Sequence, residues 1–293
     1  TNIAFSDAST TYDIASAEYE LSVSANDANG DPQDIIVETL KTTTDQHNLF
    51  VVSGDFATPS LTQYVINYPT LETDEISLIF TNFSAIGADY GVYIGIKDED
   101  FELAQFIGNL TENMFTDPQT FIENDFTIYL TDESGDVVFK SQSMALYWQN
   151  TYIIALRQHF GPGEPALAVD VLTTSTTVNS YNDVNAQAEF RVINSYDKLD
   201  AVTFTADASN GEQISQSLSF NEVSIFNEVE FGDFQLSLSN SDNQVLVNNM
   251  LFTLNQNETK SVVLYSDEAG NITGTIIEQD VRPRAYEHEL TLF

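Results

Sequence analysis

The sequence predicts an all-β protein, a tandem array of immunoglobulin-like or prealbumin-like β-sandwich domains. Three observations carry that prediction. One strand is written three times, as Tyr19-Glu20-Leu21-Ser22-Val23, Phe126-Thr127-Ile128-Tyr129-Leu130 and Phe234-Gln235-Leu236-Ser237-Leu238, at spacings of 107 and 108 residues. A near-constant period of that size is the mark of one small domain repeated in tandem. The apolar side chains of each run fall at i, i+2 and i+4, which is the period of a half-buried strand and not of a helix. The composition agrees: 20 Phe and 13 Tyr against one Trp and three Met favour strands.

The elements follow in order along each copy. An opening strand is expected at Glu75-Ile76-Ser77-Leu78-Ile79-Phe80 in the middle copy and at Glu189-Phe190-Arg191-Val192-Ile193 in the third. A segment preceding the repeated strand also recurs, as Phe5 to Ser9, Leu110 to Met114 and Phe220 to Ser224. After the repeated strand come polar turns at Asn26 to Asp31, Asp132 to Gly135 and Asn240 to Asn243, rich in residues that tolerate turn geometry. A hairpin partner follows each turn. A third strand is expected at His47 to Val52, Thr151 to Leu156 and Ser261 to Tyr265, and a last one at Leu61 to Tyr68, Ala166 to Leu172 and Ile272 to Ile277. Phe101 to Leu110 is the one stretch that reads as a turn or two of helix.

The domain boundaries are therefore 1–72, a partial N-terminal repeat lacking its opening strand; 73–180 and 181–280, two complete β-sandwich repeats; and 281–293, a tail whose Glu289-Leu290-Thr291-Leu292-Phe293 resembles the opening strand of a further repeat. The chain reads as a fragment of a longer array, entered inside one repeat and left just after another begins. The tail is expected to pair with a sheet edge, with strand exchange between molecules or docking on the third copy favoured over closure of the N-terminal copy.

With 42% hydrophobic residues in a chain of 293, cores for two or three domains of about 100 residues are supplied. Nine Lys and Arg against 45 Asp and Glu give a net charge of −36. A phosphate backbone needs clustered cations, so nucleic acid is excluded as a partner, and anionic membrane surfaces with it. Such charge opposes compaction unless salt screens it, which suits a salt-tolerant setting. There is no cysteine, hence no disulfide. No apolar run reaches the ~20 residues that span a bilayer. The expected location is the periplasm or the cell surface of a bacterium, with a lipid anchor in the parent as one form of attachment.

The opening of the third copy, Arg191-Val192-Ile193-Asn194-Ser195 followed by Ala201-Val202-Thr203-Phe204, resembles the start of the bacterial domain of unknown function 4397 family. The middle copy keeps Asn82, Ser84, Val92 and Tyr93 at corresponding places, and the later strand matches through Gly232, Phe234, Leu236 and Leu238. Both copies replace the family's Pro-Asp-Ala-Pro corner, here Asp197-Lys198-Leu199-Asp200 and Ala85-Ile86-Gly87-Ala88. The resemblance implies an exported, sandwich-like domain with no established activity. Through the same strand the chain is also similar to prealbumin-like accessory domains of surface proteins.

Candidate chemistry is sparse. The histidines His47, His159 and His288 lie in different segments. Only His159, beside Arg157 and near Glu164, suggests a catalytic arrangement, and a loop position accounts for it. Asp27-x-Asn29-x-Asp31 and Asp132-x-Ser134-x-Asp136 look like the start of calcium loops but lack the bidentate Glu, and each falls where a turn is needed anyway. The run Asp98-Glu99-Asp100 with Glu102 reads as a solvated loop. Sequons at Asn82, Asn109, Asn257 and Asn271 are explained by composition. The local anomaly is Tyr147-Trp148, which stands where the other copies have Lys41-Thr42 and Asn255-Gln256. Two adjacent aromatics there suit contact with a protein or glycan partner, or packing against a neighbouring repeat.

No metal or cofactor is expected, and no catalytic residue is assigned. The leading expectation is a non-catalytic exported repeat protein acting as a binding, display or spacer array. A carbohydrate-binding or calcium-dependent adhesive module is the first alternative, and a hydrolase with an acidic pair hidden among the 45 carboxylates is the second.

Overall fold

The computed structural model describes residues 3–281, apart from 28, 55–57, 85–88, 164–165 and 174–175. The tail Glu289–Phe293, with His288, lies outside the described residues, as do Ala85–Ala88 and Glu164. The chain is all-β. The N-terminal segment holds β1 (Glu18–Asn26), β2 (Pro32–Lys41), β3 (His47–Ser53) and β4 (Ser60–Ile66). The middle copy holds β5 (Glu75–Asn82), β6 (Tyr90–Ile96), β7 (Gln105–Leu110), β8 (Gln119–Ile122), β9 (Asn124–Thr131), β10 (Val137–Lys140), β11 (Met144–Leu146), β12 (Thr151–Gln158), β13 (Leu167–Leu172) and β14 (Val178–Tyr181). The third holds β15 (Ala188–Asn194), β16 (Ala201–Ala208), β17 (Gln213–Ser219), β18 (Asn227–Val229), β19 (Gly232–Ser239), β20 (Val245–Leu254), β21 (Thr259–Ser266) and β22 (Ile272–Glu278). The described residues form two compact units. The N-terminal strands share one with the middle copy, and the third copy, with residues 159–166, is the other.

The two full copies have one strand order. In the middle copy the sheets run β14-β13-β12-β5-β8 and β10-β9-β6-β7, with β11 also on β9. In the third they run β18-β15-β21-β22 and β17-β16-β19-β20. All pairs are antiparallel except one in each copy: the opening strand lies parallel to the seventh common strand, β5 on β12 and β15 on β21. The inner faces of both sheets meet in one core per copy, because period-two strands bury alternate residues. The repeated strand is central to each: Phe126, Ile128 and Leu130 on β9, and Phe234, Leu236 and Leu238 on β19, are all buried. Each such side chain contributes about 1.5–3 kcal/mol by leaving water. In the third copy Phe234 stacks on Phe252 at 5.2 Å, with Phe190 tilted 5.8 Å away.

One bracket between the sheets recurs in both copies. Asn82, at the end of β5, is fully buried. Its amide donates to the Leu110 carbonyl of the opposite sheet at 3.3 Å, and its oxygen accepts from the Ser84 N–H at 2.9 Å. Asn194 at the end of β15 does the same, donating to the carbonyls of Leu218 and Ser219 at 3.0 and 3.1 Å and accepting from the Tyr196 N–H. The Asn82 sequon is thus internal to the fold. Because Asn82 corresponds to Asn194, the opening strands align Ser77 with Glu189. Aligning Glu75 with Glu189, as the sequence suggests, is off by two residues, a shift that keeps every side chain on the same face.

One expectation is corrected. The helical reading of Phe101 to Leu110 survives only as a 3₁₀ turn at Phe101–Leu103. Gln105–Leu110 becomes β7, since pairing with β6 satisfies its backbone where a short exposed helix would be marginal. In the N-terminal copy the described strands form two hairpins. Its hairpins β1–β2 and β3–β4 correspond to β9–β10 and β12–β13, and described residues 3–17 form no strand. Among the described residues no strands equivalent to the first four accompany these hairpins. This half-copy leans on its neighbour within the same unit. Leu49, Tyr64 and Ile66 pack on Ile79, Phe115, Ile153 and Leu172 at the outer face of β5, β12 and β13. Further along that face Ser6 donates to Asp170, whose carboxylate also takes the Arg157 guanidinium at 2.6 Å.

Candidate functional site

The middle copy departs from its twin on one surface. Outward-facing positions of β6, β7 and β9 carry Tyr93, Phe106 and Tyr129. The corresponding residues of the third copy, by strand register, are Thr205, Ser215 and Ser237. Phe101 on the 3₁₀ turn joins the aromatic group, 5.0 Å from Tyr93 and 5.3 Å from Tyr129. The Tyr129 hydroxyl donates to the Glu99 carbonyl at 3.1 Å and so ties down the acidic loop of Asp98, Glu99 and Asp100. Beside this loop a groove of about 240 Å³ opens between the sheet edges. Ile94, Ile96, Leu103, Phe121, Ile122 and Phe126 supply its apolar lining, with Glu99, Gln105 and Asn124 as polar members.

The turn between β11 and β12 sits just past Ile122 and Asn124 of that groove. It splits the Tyr147-Trp148 pair. Tyr147 is half-buried; its hydroxyl donates to Asp125 at 3.0 Å, and this bond, ahead of any burial, pushes the phenol pKa up. Its backbone is clamped by the Tyr152 hydroxyl, which accepts from the Tyr147 N–H and donates to the Tyr147 carbonyl. Tyr147 therefore acts as a brace, its polar tip already taken. Trp148 is 86% exposed. It and Gln149 both sit in the left-handed region, at φ 77° and 47°, a conformation costing about 1–3 kcal/mol per residue that persists only where surroundings fix it. Here they do: the Gln149 N–H donates to Glu123 at 2.6 Å and its side-chain amide to the Leu71 carbonyl at 2.8 Å. The third copy meets the same geometry with Asn257 at φ 64°, a residue suited to it. There Gln256, in the place of Trp148, folds back to the carbonyls of Asp183 and Val184.

The other sequence candidates lie apart. The His47 ring stacks edge-on against Tyr68 at 4.6 Å. The His159 N–H pairs with the Ala166 carbonyl, while Arg157 is engaged with Asp170. Asp27 and Asp132 spend an oxygen on their own turns, accepting N–H groups of Asn29 and Asp31 and of Ser134 and Asp136 at 2.8–3.1 Å. Backbone donors hold the Asp27 carboxyl below its usual pKa. Neutral Asn240 makes the same contacts to Asp242 and Gln244 in the third copy, so the turn needs an oxygen acceptor and not a charge. Among the described residues no group of three or more His, Cys, Asp or Glu is placed to hold a metal, and no helix is long and apolar enough to cross a membrane.

Reading the sequence alone missed the groove. Ile122 and Leu103, 65% and 70% exposed, were the available signal: apolar residues where a sheet edge and a polar loop were due.

No family model matches the chain, and a comparison with curated proteins finds no match. Among solved structures, it is similar to a leucine-rich repeat protein from Bacteroides thetaiotaomicron, at 11% identity and a TM-score of 0.21, over 64% of this chain and 26% of that one. It is also similar to the Bacillus anthracis TIE protein, at 11% identity and a TM-score of 0.24, over 87% of this chain and 50% of that one. The chain thus spans a quarter to half the length of these proteins.

Proposed function

We propose that this is a non-catalytic, exported repeat protein whose middle copy displays a binding surface, with the third copy as structural support. The observation that carries the reading is Trp148, held outward on a braced, strained turn that the sister copy folds inward. Strained backbone kept by surrounding bonds points to use. The carboxylates beside it are committed to the scaffold, Glu123 to the Gln149 N–H and Asp125 to the Tyr147 hydroxyl, which argues for binding over acid–base work. The net charge of −36 and the lack of cysteine are consistent with a location in the periplasm or on a cell surface.

A glycan is the ligand class the chemistry favours. An exposed indole next to amide and carboxylate groups offers a stacking face and hydrogen-bond partners together. Because the chain has a single tryptophan, its fluorescence reports this site alone. Titration with soluble neutral and acidic polysaccharides should give a saturable blue shift and protect the indole from a collisional quencher. Trp148→Ala should abolish retardation in polysaccharide-containing gels, with affinity lost by about 30-fold or more for a residue worth about 2 kcal/mol. Retardation unchanged by the substitution would remove Trp148 from the site.

Of the two sandwich types, the prealbumin-like one is favoured. An immunoglobulin domain groups its strands as ABED and CFG; here the second strand lies between the third and fifth, and the first between the fourth and seventh. Kinship with the domain of unknown function 4397 family is a proposal supported by the matching roles of Asn82 and Asn194.

A further inference from the structure

The groove beside the acidic loop sets the middle copy apart from the third. Its floor reaches the core: Ile94 and Phe126 are core members, and the Phe121 ring meets Phe126 edge-on at 6.0 Å. Its rim holds three large apolar side chains in the open, Leu103, Ile122 and Ile96, at 70%, 65% and 41% exposure. By strand register the third copy has Ala208 in place of Ile96 and Glu230 in place of Ile122, and Glu230 accepts a hydrogen bond from Asn210 at 2.9 Å. Exposed apolar residues gathered round one concavity mark a contact site. At about 240 Å³ the groove is smaller than the pockets of about 300–1,000 Å³ that take drug-sized ligands, so it has room for one bulky apolar group.

We propose that this groove anchors one bulky apolar side chain of a partner peptide whose flanking residues are Lys or Arg. Charge selects the flanks. The loop beside the groove carries Asp98, Glu99, Asp100 and Glu102, all exposed, against Lys97 as its one cation. Among the described residues the Glu99 carboxylate makes no hydrogen bond or ion pair, so at the lip of the groove it is open to a cation. A second copy of this chain, with its net charge of −36, meets like charge at that lip and is disfavoured. Amides select the peptide backbone. Gln105 at the start of β7 and Asn124 at the start of β9 line the groove. Among the described residues the Gln105 amide is unengaged, and Asn124 spends only its oxygen, on the Asp125 N–H. Together they can donate to and accept from peptide groups on either side of the anchor. The site goes beyond the glycan reading, because Trp148 is not among the residues that line it.

The probe is a labelled, acetylated peptide with one Phe between two pairs of Lys, read by fluorescence anisotropy against the full chain at about 100 mM NaCl. It should bind saturably, and the same peptide with Ala for Phe should bind about tenfold more weakly or worse. Leu103→Asp with Ile122→Asp should weaken binding by a similar factor although both substitutions add negative charge; both positions are exposed, and an unchanged melting temperature checks the fold. Glu99→Gln with Glu102→Gln should weaken binding about threefold or more and reduce its salt dependence. Trp148→Ala should leave the peptide affinity within about twofold, while the Leu103→Asp, Ile122→Asp pair should keep its retardation in polysaccharide gels, so the two readings fail separately. Equal binding of the Phe and Ala peptides would mean that charge alone attracts them and would overturn the anchor. A Phe peptide that does not saturate, or an affinity indifferent to the Leu103→Asp, Ile122→Asp pair, would overturn the site. A loss on Trp148→Ala equal to that of the pair would overturn a groove separate from the Trp148 surface.

Discussion

Replacing Asn194 with Ala tests whether the two full copies are held by the same internal bracket. The side chain makes three hydrogen bonds, a buried one donated to Leu218, a part-buried one donated to Ser219 and a buried one accepted from Tyr196. Alanine removes all three and strands two carbonyls and an N–H around a side chain with no exposure of its own. Each orphaned group costs about 1–3 kcal/mol. Since the β16–β17 ladder still engages its strand, a total of about 3–5 kcal/mol is expected. For a domain of about 100 residues this lowers the melting temperature by about 12 °C or more. Hydrogen exchange resolved by peptide should locate the loss: β15–β17 open, while β5–β7 keep their protection. Asn82→Ala should give the reciprocal pattern. Asn249→Ala, at an exposed position of the same copy, should stay within about 0.5 kcal/mol. A loss for Asn194→Ala no larger than for this control would mean the bracket is incidental.

Other outcomes follow from the same structure. Ser77 and Thr81 bury hydroxyls that have no hydrogen-bond partner among the described residues; Thr81→Val should raise stability by up to about 1 kcal/mol in a urea titration. At Glu258 burial pushes the carboxyl up, but the Asn255 N–H and side-chain amide and the Lys260 ammonium at 2.7 Å outweigh it and leave the pKa below 4.5. A depressed folded pKa gives stability that is present above pH 4.5 and lost as pH falls through the lower folded value, so Glu258→Gln should flatten the stability profile in that acid window. With a net charge of −36, raising NaCl from about 10 mM to about 500 mM should raise the melting temperature. Calcium at a few mM should add nothing beyond the same ionic strength of NaCl, since the Asp27 and Asp132 turns are closed by backbone donors; a rise of many degrees would restore the calcium-dependent reading.

What the sequence made legible were the strands whose surroundings differ on their two faces. Phe126-Thr127-Ile128 alternates because β9 has a core side and an outer side, and the period of 108 exposed its copies. The strands β6 and β16 escaped notice as elements. Gly91-Val92-Tyr93-Ile94-Gly95 hides its alternation because two outward positions are glycine, needed where a Cβ would meet Thr131 and Tyr129. β8 and β18 have four and three residues, too short to carry a period. At the site, adjacent aromatics were visible, but their opposite fates were not. Whether Tyr147 or Trp148 faces solvent depends on Asp125 and Glu123, some 22–26 residues away in sequence. Asn82 and Asn194 looked like family markers; their hydrogen bonds cross from one sheet to the other, a relation no local pattern contains.

The single parallel pair in each copy governs how the domain meets mechanical load. In the third copy β15 runs alongside β21, and β22 runs against β21. The start of β15 and the finish of β22 therefore lie at the same edge of one sheet. Tension applied between Ala188 and Glu278 pulls two neighbouring ladders apart from that edge, so the hydrogen bonds are loaded in turn and not all at once. Such a domain yields by unzipping at low force. Each opening pays out about 300 Å of chain from its 91 residues.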